Sequence, residues 1–79
     1  MTNSEKYDGA FCRALGVAER DLLALKYGSV AAWDSAGHMI LVAEIEDTFR
    51  ISLTVAEIMK FNSYAEGRQI LEKYGVKLD

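Results

Sequence analysis

Apolar positions recur along this chain at intervals of three and four residues, and the alternation that marks a half-buried strand is nearly absent. The strongest helical segment follows Trp33-Asp34-Ser35. It runs to Phe49 without proline and with one glycine, a rod of about 22 Å at 1.5 Å per residue. At 100° per residue, His38, Leu41, Val42, Ile45 and Phe49 fall within one sector of roughly 100°, the face expected to enter a core. Ala36, Ile40, Ala43 and Asp47 cluster on the opposite side. Met39 and Ile40 therefore have no intramolecular reason to be apolar, and an exposed apolar strip is predicted beside the helix start. Asp34 or Ser35 is the expected N-cap, accepting from the free amides of the first turn.

Three further helical segments accompany it. Tyr7, Phe11, Ala14 and Leu15 place a first helix at about Glu5 to Leu15, capped by Asn3 or Ser4 and ended by Gly16. Residues 17–33 form a long connection. Leu22, Leu23, Leu25 and Tyr27 are too apolar to be left in water, so a short helical turn near Glu19–Leu25 is expected to lay its leucines on the bundle. An irregular stretch through Gly28-Ser29 to Trp33 then delivers Asp34-Ser35 to the surface. Beyond Phe49, Ile51 and Leu53 read as inward anchors of a loop. Thr54-Val55-Ala56-Glu57 has capping-box spacing and opens a short helix to about Lys60. Ser63-Tyr64-Ala65-Glu66 repeats that spacing and opens a last helix through Ile70, Leu71 and Tyr74, ending at Gly75. The expectation is a single domain over residues 1–79, all-α: a small four-helix bundle of three main helices and a short third.

Length and composition narrow the function. Seventy-nine residues lie near the lower limit for one self-sufficient core. A chain of this size is too short to enclose a deep pocket with the shells that hold a catalytic group, which disfavours an independent enzyme. Cys12 has no second cysteine, and one His with one Cys leaves no metal-ligand set, so a reducing compartment is expected. The start resembles no signal peptide, and the longest apolar run, Met39 to Ala43, is far too short to span a bilayer. A cytoplasmic monomer is expected. Residues 34–49 hold Asp34, Glu44, Glu46 and Asp47 with no Lys or Arg, while the remainder holds eight acidic and nine basic side chains. The net charge of −3 thus resides on the serine-led helix. Such a patch repels phosphate backbones, so nucleic-acid binding is disfavoured, and it steers basic partners towards itself.

Ser35 can be a nucleophile, a cap or an attachment point. Nucleophilic catalysis needs a base, and His38 lies one turn on, but its wheel position is on the core face. A phosphate ester on Ser35 would sit at the positive end of the helix dipole beside unpaired N–H groups. Asp34 would repel that phosphate, so it more naturally faces the cationic or metal site of a modifying enzyme.

The pattern Trp33-Asp34-Ser35-Ala36-Gly37-His38-Met39, followed by the amphipathic acidic helix to Phe49, resembles the acyl carrier protein family across nearly the whole chain. The resemblance implies a serine bearing a 4′-phosphopantetheine arm, transferred from coenzyme A by a phosphopantetheinyl transferase. Ser35 matches that serine and Asp34 the residue before it. Ala36, Met39, Ile40, Ala43, Glu46 and Asp47 then fall on the face that would dock acyl-activating or acyl-transferring enzymes. Ala36 replaces the usual Leu, and Ile40 stands where many fatty-acid carriers have an acidic residue. This form is more similar to stand-alone carriers of specialised pathways. An aminoacyl or peptidyl carrier remains a rival, although Val30-Ala31-Ala32-Trp33 lacks the glycines of the usual Gly-Gly-x-Ser motif. An unmodified helical interaction module is a second.

Overall fold

The computed structural model describes residues 1–78. Along the chain run α1 (Asn3–Leu15), a 3-10 helix (Glu19–Ala24), α2 (Ser35–Phe49), α3 (Val55–Lys60) and α4 (Tyr64–Glu72). They form the expected small all-α bundle, with α1 packed chiefly on α2 and α4 against the 3-10 segment. The described residues contain no strand, only an isolated antiparallel bridge between Lys26 and Ser63. None of their helices is long and apolar enough to cross a membrane.

Three local expectations are corrected. α1 starts at Asn3 rather than Glu5, and Thr2, not Asn3 or Ser4, is its cap. Thr2 Oγ1 accepts the Glu5 N–H at 3.1 Å and Glu5 Oε1 accepts the Thr2 N–H at 2.8 Å. Only Thr2 has a carboxylate three residues on; a cap at Asn3 or Ser4 would face Lys6 or Tyr7 and lose the reciprocal bond. α4 stops at Glu72, because the Tyr74 and Gly75 amides bond three residues back and tighten the chain out of the α-helix. Leu23 is 85% exposed, whereas Leu22 and Leu25 are buried. With three residues per 3-10 turn, Leu22 and Leu25 share a side and Leu23 is turned outward.

The core is aromatic at its centre. Phe11 lies 5.0 Å from Tyr7, 5.5 Å from Tyr64, 5.6 Å from Trp33 and 6.0 Å from Phe61, measured between ring centroids. Trp33, which the sequence placed only at the end of the long connection, is fully buried. Leu41, Val42, Ile45, Leu53, Ile70 and Leu71 fill the space around the rings, and Phe49, Ile51 and Ile58 lie at its margin. Tyr7 Oη donates to the Tyr64 carbonyl at 2.6 Å, and the Tyr64 hydroxyl donates to Asp8, so both buried phenols are satisfied. Burial pushes both phenols up from their ordinary value, and the bond to Asp8 adds to the effect at Tyr64. Gly67 has a packing reason: a methyl group there would collide with the Tyr7 hydroxyl and the Phe61 ring.

α3 buries no residue fully and is held by polar ties. Thr54 and Glu57 form the expected capping box, and the Tyr74 hydroxyl donates to Glu57 and lies 3.0 Å from the Ser52 carbonyl oxygen. The Tyr74 bond holds Glu57 below the usual carboxylate range, and the same bond raises the Tyr74 phenol.

Candidate functional site

Ser35 is the first residue of α2 and is exposed. Of the two candidate caps, Asp34 does the work: its backbone is extended, and its Oδ1 accepts the Gly37 N–H at 2.8 Å. The Ser35 hydroxyl is left outside the capping arrangement. The loop reaches it because residue 37 is glycine, since a methyl group there would overlap the Ala32 carbonyl. Trp33 anchors the same loop from below, donating its backbone N–H to Val30 and accepting from Gly28.

His38 is half-buried and does not meet Ser35. Trp33 Nε1 donates to His38 Nδ1 at 2.9 Å, and His38 Nε2 lies 2.8 Å from the Ile58 carbonyl oxygen. An indole N–H can only donate, so Nδ1 must accept, and the imidazole proton resides on Nε2, where it donates to Ile58. The ring stacks on Trp33, 6.2 Å between centroids and 17° between planes. His38 therefore joins the loop, α2 and α3, and both its nitrogens are engaged away from the serine.

Tyr27 is the neighbour that periodicity did not announce. It was expected to be too apolar for water, yet it is 46% exposed, and its hydroxyl lies 3.3 Å from Ser35 Oγ. Its ring stands edge-on to His38 and Trp33, at 5.6 Å and 6.3 Å. Together Tyr27, His38, Met59, Phe61 and Asn62 line a cavity of about 330 Å³.

The proposed docking face is partly free and partly committed. Ala36, Ala43 and Asp47 are exposed, and Met39 and Ile40 are each 54% exposed, as the wheel required. Glu46 is half-buried instead, because its Oε2 accepts the Leu53 N–H at 2.8 Å and pins the loop after α2. Glu44 pairs with Arg13 at 3.0 Å. Of the four carboxylates that made this segment acidic, only Asp47 has no partner among the described residues. Of these four charges only that of Glu44 is offset by a cation; Asp34 and Glu46 are held in place by backbone amides. On α3, Val55 and Met59 are each 75% exposed. Their spacing of four, which puts both on one side of the helix, was a readable signal.

Cys12 is half-buried on α1, and burial together with Glu19 and Asp8 pushes its thiol up, away from a reactive thiolate. Against models of known families, curated proteins and solved structures, the chain shows no match.

Proposed function

We propose that this chain is a carrier protein in which Ser35 is the attachment point for a 4′-phosphopantetheine arm, and that it presents acyl cargo, held as a thioester, to partner enzymes of a specialised biosynthetic pathway. The observation that carries this reading is the division of labour at the start of α2. Asp34 supplies the cap, so the exposed Ser35 hydroxyl is not needed to hold the helix. In the transfer, Ser35 Oγ forms a bond to the phosphorus of coenzyme A as the bond to the leaving nucleoside bisphosphate breaks. The serine proton passes to a base on the phosphopantetheinyl transferase.

The protein itself catalyses nothing on this reading. A tether converts delivery to a docked enzyme into a nearly intramolecular event, with effective concentrations of order mM for short flexible links. A phosphodiester at Ser35 sits at the positive end of a fifteen-residue helix, where a fixed anion is favourable. Successive partners require weak, rapidly exchanging contacts. Met39 and Ile40 on α2, with Val55 and Met59 on α3, supply small apolar anchors, and Asp47 supplies a free charge.

The test is intact mass after incubation with coenzyme A and a broad-specificity phosphopantetheinyl transferase. The wild type is expected to gain one phosphopantetheinyl group and Ser35→Ala none. An unchanged wild-type mass would leave an unmodified interaction module as the better description. Challenge of the holo form with acyl-activating and adenylating enzymes then separates an acyl from an aminoacyl carrier.

A further inference from the structure

The Ser35 hydroxyl has one hydrogen-bond partner among the described side chains, and it is another hydroxyl. Tyr27 Oη stands 3.3 Å from Ser35 Oγ, long for such a pair, and either oxygen can donate. The phenol does not reach this position by chance flexibility of its loop. The Tyr27 N–H donates to the Asn62 carbonyl at 2.8 Å, and the ring is braced edge-on by His38 and Trp33. Those two rings are themselves locked by the Trp33–His38–Ile58 bonds.

We infer that Tyr27 is a positioning residue for modification of Ser35, and that its hydroxyl becomes a hydrogen-bond donor to the serine phosphodiester. The inference rests on the carrier reading. Once Ser35 Oγ is esterified it has no proton, so Tyr27 is the pair's sole remaining donor. The incoming phosphoryl group carries negative charge on its free oxygens within reach of the same phenol. A bond from a neutral donor to an ionised acceptor is shorter and stronger than one between two neutral hydroxyls, so the long apo contact tightens on the product side. During transfer, Oγ forms its bond to phosphorus and the bisphosphate leaves, while the serine proton goes to the transferase. Tyr27 keeps its own proton and donates throughout.

The experiment is steady-state transfer from coenzyme A to wild type and Tyr27→Phe, with phosphorus NMR of both products. Tyr27→Phe keeps the half-exposed ring against Trp33 and His38, so its thermal midpoint is expected to match the wild type. Its apparent kcat is expected to fall about fivefold, the worth of one hydrogen bond, with KM within about twofold. Its phosphodiester resonance should also shift. Equal kcat and an unmoved resonance would overturn the inference while leaving the carrier reading intact. A wild type that accepts no group would instead sink the carrier reading, and the two failures are therefore distinct. A second measurement needs no variant: the Tyr27 Cζ resonance is expected to move between apo and holo wild type, and an unmoved resonance counts against the assignment.

Discussion

The two faces of α2 obey opposite rules. The inward face meets a cluster of rings in which every side chain has a neighbour and every buried polar side-chain atom a partner. Its outward face presents Ser35, Met39 and Ile40, which no core contact or cap requires. The difference teaches where this chain tolerates change. Inside, a side chain is held by close packing, and a lost volume leaves a cavity. Outside, the same helix keeps its backbone bonds with most side chains, and on the carrier reading the apolar residues there are the ones a partner would touch.

The sharpest way to break the contrast is Trp33→Ala. Removing a fully buried indole is expected to cost about 3–5 kcal/mol, comparable to the whole stability of a domain this small. It would also orphan His38 Nδ1. The expected outcome is a chain without a cooperative melt by circular dichroism, and a midpoint near the wild type would show that the cluster is not the keystone.

A smaller effect tests the buried phenols. The folded chain holds the Tyr7 proton well above the ordinary phenol value of 10.0, chiefly through burial, whereas the unfolded chain releases it there. That contribution is fully present below pH 10 and lost as pH rises beyond it, by at most about 1.4 kcal/mol per pH unit for one phenol. Tyr7→Phe gives up the bond to the Tyr64 carbonyl, so it starts less stable by about 1 kcal/mol, yet it should lose less on going from about pH 10 to about pH 11. Urea midpoints across that interval check this, and parallel declines in both proteins would reject it.

The smallest structural effect belongs to the outer face. Ile40→Glu should change stability by less than about 0.5 kcal/mol, a midpoint shift below about 4 °C. Helicity should be unchanged, while transfer to the true partner enzyme slows. A clear loss of helicity would return Ile40 to the core, and wild-type transfer rates would remove it from the docking face.

Much of this was legible in the residues. The Thr54 box, Gly16 as the end of α1, the inward Leu41, Val42 and Ile45 and the outward Ile40 all follow from rules acting within one or two turns. Asp34 and Ser35 were equally good caps by type, and only the extended backbone at Asp34 separated them. The contacts of the acidic side chains of α2 were hidden for a related reason. A carboxylate in a sequence is a charge, but whether it is free depends on what lies beside it in space. Glu44 found Arg13, thirty-one residues away, and Glu46 found the Leu53 amide.

The local order of residues alone therefore determined four helices, the serine at the head of the longest, and which side of that helix faces water. Backbone hydrogen bonding and side-chain periodicity act over a few residues, so neighbours in sequence suffice to express them. Tertiary structure decided that Trp33 plugs the core, that His38 turns its nitrogens to Trp33 and Ile58, and that Tyr27 stands over Ser35. Each of these contacts depends on how an aperiodic loop folds back on the helices, where the close packing of rings from distant segments selects one arrangement and no repeat in the sequence encodes it.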